Sequence, residues 1–157
     1  RLFEIRKRPS TQATPVLVNS IEMAQEYCES IDSEVIERLV KPYWPGGLTV
    51  VLQSTIEKVP RLVRGGGDTI GVRMPNHSTT LEIIKGVGVP ILGPSANFHG
   101  EPTPYRFRDL NKELVRLVDY VVKGECNLKS ASTVIDCSVK PWNIIREGAI
   151  KLTINNE

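Results

Sequence analysis

Short apolar runs alternate with amphipathic segments along this chain of 157 residues. Short aliphatic and β-branched runs are typical of buried strands, whereas apolar positions three or four residues apart are typical of helices. No internal repeat or low-complexity segment interrupts the alternation. The pattern predicts strands at 15–18, 48–52, 69–74, 90–92, 120–122, 133–135 and 144–145.

Start and stop signals predict helices between these strands. Asn19 precedes Glu22 by three residues, which is the spacing of a capping box. Ser33 is predicted to cap a second helix, which Pro42 and Pro45 should stop because proline lacks the amide hydrogen. The predicted helical segments are the first residues of the chain, 21–28, 35–40, 59–63, 79–84 (with Thr79 and Glu82 as its cap) and 109–117.

This alternation predicts an α/β fold, with a twisted, open, mixed sheet flanked by helices. We expect one domain over residues 1–157, because no linker divides the chain. The chain is 40% hydrophobic and 24% charged, which favours a folded protein, and no apolar run reaches the roughly 20 residues of a membrane span. A net charge of +2 gives no general attraction to nucleic acid or anionic membranes, so an anion site must come from local clusters.

The usual catalytic and metal-binding motifs are absent from the sequence. Cys28, Cys126 and Cys137 form no CxxC pair, and His77 and His99 are expected to be solvated loop histidines. An odd number of thiols without a signal peptide predicts a cytoplasmic protein. There is no GxGxxG, P-loop, GxSxG or HExxH motif. We therefore predict neither a metal site nor a catalytic acid, base or nucleophile.

Arginines near strand ends are the candidate anion-binding residues. Arg6 and Arg8, with Lys7 between them, form either a basic surface turn or a phosphate clamp, because a guanidinium fork matches phosphate oxygens. Arg73 ends an apolar strand run, so it should contact an anion, form a structural ion pair or lie at the sheet rim. Arg146 has the same options, with a neighbouring carboxylate as its structural partner.

The loop 93–104 is rich in glycine, proline, serine and asparagine and follows a predicted strand. Such a loop lets a nucleotide or another anion approach the backbone, with Ser95 and Asn97 as polar contacts, although an ordinary turn has the same composition. The glycines at 65–67 are expected to form a loop rather than a phosphate cradle. The segment 44–47 is expected to be a structural turn, with Trp44 packed on the core.

Taken in order, five segments resemble the YrdC-type L-threonylcarbamoyladenylate synthases. These segments are KRP, WPGGLTVVL, IGVRMPNH, PILGPSAN followed by HGEPTP, and STVIDCS followed by IIREGAI. The resemblance covers about residues 3–150 and implies a YrdC/RibB-like fold, in which a twisted open sheet surrounds a large basic cavity. It also implies that ATP, L-threonine and bicarbonate are converted to threonylcarbamoyl-AMP and pyrophosphate. That product serves N6-threonylcarbamoyladenosine modification at position 37 of tRNA.

Position by position, the resemblance implies a set of substrate contacts. Arg6 stands where the family has lysine, so either Arg6 or Lys7 fills that role. Mg²⁺ is expected to accompany ATP on its phosphates. The family's opening Pro-Thr-(Asp/Glu)-Thr-x-Tyr-Gly-Leu segment has no counterpart here, so we expect the N-terminal part of the domain to be missing. The implied contacts are ATP at Arg6, Arg8, Thr69, Ser95, Asn97, Thr103 and Arg146, and L-threonine at Arg73 and Ser132.

The same resemblance implies a downstream partner and leaves two alternative functions. The adenylate would be consumed by a Kae1/TsaD-type tRNA threonylcarbamoyltransferase, and no membrane partner is expected. One alternative is a protein that binds tRNA or double-stranded RNA without catalysis. The other is the carbamoyl-adenylating domain of hydrogenase-maturation proteins, although the cysteine-rich zinc fingers of those proteins are absent from this sequence.

Overall fold

The computed structural model describes residues 1–124, 126 and 128–153, and its strands form a single mixed sheet. The strands are β1 (Val16–Leu17), β2 (Leu48–Gln53), β3 (Thr69–Arg73), β4 (Ile91–Leu92), β5 (Thr133–Asp136) and β6 (Asn143–Arg146). Their order across the sheet is β4-β1-β3-β2-β5-β6. The pairs β1–β3 and β2–β5 are parallel, and the other three pairs are antiparallel. The predicted open, mixed sheet is thus confirmed.

The helices are short. They are α1 (Leu2–Ile5), α2 (Ile21–Tyr27), α3 (Ser33–Val35), α4 (Lys41–Tyr43), α5 (Ser78–Val87) and α6 (Lys112–Arg116). A π-helical turn, Ile36–Val40, joins α3 to α4, and a 3₁₀ turn, Phe107–Asp109, precedes α6. No helix in the described part of the chain is both long and apolar enough to cross a bilayer.

Three helix caps lie one or two residues away from their predicted positions. A cap is the last residue with extended backbone, and its side chain accepts a hydrogen bond from an amide in the first turn. The capping residues are Ser20, Asp32 and His77, rather than the predicted Asn19, Ser33 and Thr79. Ser20 accepts from the Met23 amide at 3.0 Å, Asp32 from the Glu34 amide at 2.8 Å and His77 from the Thr80 amide at 3.3 Å.

The prediction that Pro42 stops a helix is wrong, because helical backbone continues from α3 through α4. A π-helical turn directly precedes this proline, which lies in the three-residue helix α4. The helix ends at Trp44, whose backbone is extended, directly before Pro45. Trp44 is buried, as predicted, and its Nε1 donates to the Leu48 carbonyl at 2.9 Å.

Two further predicted segments lack regular structure. Residues 59–63 form hydrogen-bonded turns rather than a helix. The predicted strand at 120–122 is wrong: in the described chain it pairs with no other strand. Tyr120 is 83% exposed and Val122 49% exposed, so this apolar run is not buried in the sheet.

The sheet has one apolar face and one face that carries the candidate residues. Leu48, Val50 and Leu52 of β2 are buried and belong to one core cluster with residues of α2–α4. Successive side chains of a strand point to opposite faces, whereas directly paired residues share a face. The pairings therefore define a second surface, here called the site face, formed by Leu17, Thr49, Val51, Gln53, Thr69, Gly71, Arg73, Val134, Asp136, Asn143 and Arg146.

Candidate functional site

Two arginines lie at the ends of one row of neighbouring residues across the site face. Val72 pairs with Val50, so Arg73 lies beside Thr49 one step further along the antiparallel pair. Thr49 pairs with Val134, and Val134 pairs with Arg146. Three strand spacings, about 14 Å, therefore separate the two arginine backbones. The row brings together two cations that are far apart in sequence.

A β-bulge decides on which face Arg146 lies. Ile135 pairs with Ile144, so an uninterrupted antiparallel register would place Ile145 beside Val134. The register instead shifts between Val134 and Ile135, and Arg146 takes the place beside Val134. A one-residue shift moves a side chain to the other face of a sheet, because the strand period is two. The bulge thus turns Arg146 toward the site face.

Ser132 forms the centre of a hydrogen-bonded cluster with Arg146 and Thr49. Arg146 donates from Nε and Nη2 to the Ser132 carbonyl, at 3.0 and 2.8 Å, and from Nη2 to Ser132 Oγ at 3.0 Å. Thr49 Oγ1 lies 2.8 Å from Ser132 Oγ. Thr49 is 4% exposed and Ser132 9% exposed, so the cluster is fixed between β2 and β5. It holds the guanidinium at the surface of the sheet, where an anion can reach it.

Arg73 is held by the turn before β2. Its Nε donates to the Gly46 carbonyl at 2.7 Å. Burial lowers the pKa of Arg73, Cys126 opposes this effect in part, and the positive charge of Arg146 makes the smallest contribution, which also lowers the pKa. Within residues 1–124, 126 and 128–153, neither arginine forms an ion pair with a carboxylate. The alternative of a structural ion pair for Arg73 or Arg146 therefore finds no support in this part of the chain.

A second cationic cluster joins α1 to the loop after β4. The buried Arg6 guanidinium donates from Nε to the Asn97 carbonyl at 2.9 Å, and from Nη2 to Asn97 Oδ1 at 3.1 Å and Ser95 Oγ at 3.3 Å. Asn97 Nδ2 in turn donates to the Glu101 carbonyl at 2.5 Å. The loop is therefore an organised structure built around Arg6, rather than an ordinary turn.

Arg8 lies close to this cluster, and Lys7 between the two arginines adopts a left-handed backbone conformation, with φ of 52°. Burial lowers the pKa of Arg6, and the nearby Arg8 charge lowers it further. Arg8 Nη2 donates to the Ala13 carbonyl at 2.7 Å, and its buried Nε has no partner in the described structure. The Lys7 ammonium lies over the Phe98 ring, 4.9 Å from its centroid. Of the two candidates for the family's lysine position, Arg6 is the residue that contacts Ser95 and Asn97.

The remaining candidates lie around these two clusters. Thr69 shares the site face with Arg73 and lies about 13 Å from it along β3. Thr103 is partly buried in the loop that Asn97 ties down through Glu101. Both histidines are exposed, as predicted. The structure thus groups Arg6, Arg8, Ser95 and Asn97 together, and Arg73, Ser132 and Arg146 together.

Sequence reasoning missed two features of this region. The first is Thr49. It is a polar residue among the buried aliphatic residues of β2, and this position could have marked it as a candidate. The second is a cavity of about 340 Å³ lined by Tyr105, Arg106, Asp109, Cys126 and Lys129. No sequence motif marks these lining residues.

The donor groups of the site suit organic anions. Guanidinium, hydroxyl and amide groups predominate, and these groups donate hydrogen bonds to phosphate and carboxylate oxygens. Among the residues that the structure describes, no three His, Cys, Asp or Glu side chains form a group that could hold a metal ion.

Known proteins share both this sequence pattern and this fold. Residues 1–148 match the Sua5/YciO/YrdC family model, whose description reads "Telomere recombination". The threonylcarbamoyl-AMP synthase of Pyrococcus abyssi is 35% identical over 153 residues, which make up 97% of this chain and 44% of that protein. The threonylcarbamoyl-AMP synthase of Bacillus subtilis is 31% identical over 152 residues, 96% of this chain and 43% of that protein.

A solved structure agrees with the sequence relatives. The crystal structure of P. abyssi Sua5 complexed with L-threonine has a TM-score of 0.88 and 36% identity, over 94% of this chain and 43% of that chain. The chain thus spans less than half the length of these relatives.

Proposed function

This chain belongs to the Sua5/YciO/YrdC family, and on that premise we propose that it acts as an L-threonylcarbamoyladenylate synthase. The reaction forms threonylcarbamoyl-AMP and pyrophosphate from L-threonine, bicarbonate and ATP. The observation that carries the proposal is the presence of two arginine clusters, one on the site face and one between α1 and the loop after β4, since neither has a carboxylate partner in the described chain. ATP and L-threonine supply the anionic groups that such clusters bind.

In this proposal, the cluster around Arg6 and Arg8 holds ATP. Among the described residues the Arg8 guanidinium bonds only to the Ala13 carbonyl, which leaves it further donors for a phosphate oxygen. Arg6 is occupied by the loop after β4, so it orders that loop and adds positive charge. The proposed ATP contacts are Arg6, Arg8, Thr69, Ser95, Asn97, Thr103 and Arg146.

The proposed L-threonine site lies between Arg73 and Ser132. A partly buried guanidinium suits the amino-acid carboxylate, because charge-assisted hydrogen bonds strengthen where water is partly excluded. Arg146 is bonded to Ser132, so the threonine contact and one ATP contact belong to a single cluster. This adjacency is what a reaction between the two substrates requires.

The chemistry is nucleotidyl transfer. The amino nitrogen of L-threonine and the bicarbonate carbon form a carbamate with loss of water, and a carbamate oxygen then attacks the α-phosphorus of ATP while pyrophosphate leaves. The arginines and hydroxyls position the reactants and offset the phosphate charge. We expect Mg²⁺ to arrive on the ATP phosphates, because it prefers such oxygen ligands and retains several waters.

Partners and location follow from this chemistry. We propose that the product passes to a Kae1/TsaD-type tRNA threonylcarbamoyltransferase, so that tRNA is the final acceptor. A cytoplasmic location is proposed as well, with support from the free state of Cys28, Cys126 and Cys137.

The test is product formation by the protein with ATP, Mg²⁺, L-threonine and bicarbonate. We expect threonylcarbamoyl-AMP by mass spectrometry, together with pyrophosphate release that disappears when L-threonine is omitted. Pyrophosphate release without L-threonine would refute the proposal, and a requirement for carbamoyl phosphate would favour the hydrogenase-maturation reaction. Salt-dependent binding of tRNA or double-stranded RNA without any adenylate would favour the RNA-binding function.

A further inference from the structure

We infer that Thr49 is a positioning residue that directs the Ser132 hydroxyl toward L-threonine, an inference that rests on the proposed function. Thr49 is absent from the contacts that the family resemblance implies. It lies in the row between Arg73 and Arg146, and its Oγ1 is 2.8 Å from Ser132 Oγ. Thr49 is 4% exposed, so the neighbouring strands determine where its hydroxyl group points.

The Thr49 side chain is held on two sides. A Cβ placed on Gly71 would lie 3.2 Å from Thr49 Cγ2, so the methyl group lies over the glycine of β3. The hydroxyl lies toward β5, where it meets Ser132. A β-branched side chain has few χ1 rotamers, and contacts on both sides select one of them. The position of Thr49 Oγ1 is therefore set by the sheet.

The hydrogen-bond capacity of Ser132 determines what this contact does. A serine hydroxyl donates one hydrogen bond and accepts two. Arg146 Nη2 can only donate, so its 3.0 Å contact takes one acceptor position of Ser132 Oγ. When Thr49 donates as well, both acceptor positions are filled, and the Ser132 hydrogen points to a ligand acceptor.

Either arrangement leaves one hydroxyl hydrogen without an acceptor in the described part of the chain, and the two differ in which residue carries it. If Ser132 donated to Thr49, the free hydrogen would lie on Thr49, the more deeply buried of the two residues at 4% exposed against 9% for Ser132. A buried donor without an acceptor is costly. We therefore assign the donor role to Thr49, which leaves the Ser132 hydroxyl to donate to an oxygen of L-threonine.

Four variants test this role: T49V, T49S, Ser132→Ala and the double variant. Thr49→Val keeps the shape and removes the hydroxyl, whereas Thr49→Ser keeps the hydroxyl and serves as the matched control. We expect T49V to raise the KM for L-threonine about five- to tenfold, the effect of one lost hydrogen bond, with a much smaller change in the KM for ATP. T49S should stay within about twofold of the wild type. In a Ser132→Ala background, T49V should add little, because the two residues act as one unit.

The outcomes separate this inference from the proposed function. A wild-type protein without threonine-dependent product would refute the proposed function and the inference with it. An active wild type in which T49V keeps its threonine KM, or in which T49S loses as much as T49V, would refute the inference alone. Circular dichroism checks the fold, and Thr49→Ala replaces T49V if the valine variant is unfolded.

Discussion

Asn97 holds the guanidinium of Arg6 at two atoms, although 91 positions separate the two residues in the chain. Nε donates to the Asn97 carbonyl at 2.9 Å, and Nη2 donates to its side-chain Oδ1 at 3.1 Å. In the opposite direction, the amide of His99 donates to the Arg6 carbonyl at 2.8 Å. The end of α1 and the loop after β4 are therefore one structural unit.

The first prediction concerns the planar fork of Arg6. Arg6→Lys should lower the free energy of unfolding by about 1–3 kcal/mol, because one ammonium group cannot reproduce the bonds to Asn97 and Ser95. Chemical denaturation of the two proteins measures this difference. Equal midpoints and slopes for the variant and the wild type would show that a point charge suffices at this position.

The second prediction concerns Arg8, which has few partners within the protein. Arg8→Ala should leave the free energy of unfolding nearly unchanged and raise the KM for ATP at least about tenfold, because a charge-assisted bond to phosphate contributes about 1.5–3 kcal/mol. Steady-state kinetics with varied ATP provide the measurement. Lys85→Ala, which removes an exposed cation from α5, is the control and should keep the wild-type KM. An unchanged ATP KM in R8A would remove Arg8 from the nucleotide site.

The third prediction compares two fully buried threonines. Thr133 Oγ1 donates to the Ile150 carbonyl at 2.5 Å and accepts from the Gly148 and Ile150 amides at 3.0 Å each. Thr14 Oγ1 has no partner in the described structure. Thr133→Val should therefore lower the free energy of unfolding by about 2–4 kcal/mol, whereas Thr14→Val should be neutral or stabilising by up to about 1 kcal/mol.

Thermal or chemical unfolding of both variants measures this contrast. The chemical change is identical at the two sites, so lost packing does not explain a difference between them. Similar destabilisation by both substitutions would contradict the prediction.

The fourth prediction concerns alkaline pH. Burial raises the pKa of Cys28 from 9.0 to about 12, and burial with the nearby Asp136 and Glu34 charges does the same for Cys137. The folded protein thus retains these protons more tightly than the unfolded chain. Their contribution to stability is complete below about pH 9 and is lost as the pH rises toward 12. The Cys28 thiol should lower the unfolding free energy by about 2 kcal/mol at pH 10.5 relative to pH 8, and the less deeply buried Cys137 thiol should lower it by less because solvent screens its charge.

Cys28→Ala should reduce this pH-dependent loss even if it lowers stability at both pH values. Cys126 is exposed, so Cys126→Ala is the matched control and should leave the loss unchanged. The measurement is the unfolding free energy of both variants and of the wild type at pH 8 and 10.5. An identical decline in C28A and the wild type would contradict the assignment to this thiol.

The parts of the fold with strong local signals were predictable. The alternation in β2 and β3 comes from residues that face the core and the site face in turn. The burial of Trp44 in the turn before β2 was predictable as well. Helix caps were harder, since Ser20 and Asn19 are both good capping residues and only the backbone geometry selects one. The apolar run at 120–122 resembled a strand because periodicity cannot reveal that no partner strand lies beside it.

The sequence by itself determined the chemistry of the site: arginines near strand ends, a Ser-x-Asn loop and too few histidines and cysteines for a familiar motif. The tertiary structure decided which of these residues meet. A single register shift beside Val134 turns Arg146 to the site face, and the pairing of β2 with β5 places Thr49 against Ser132. The register between distant strands depends on the packing of the whole sheet, so it cannot be predicted from local periodicity.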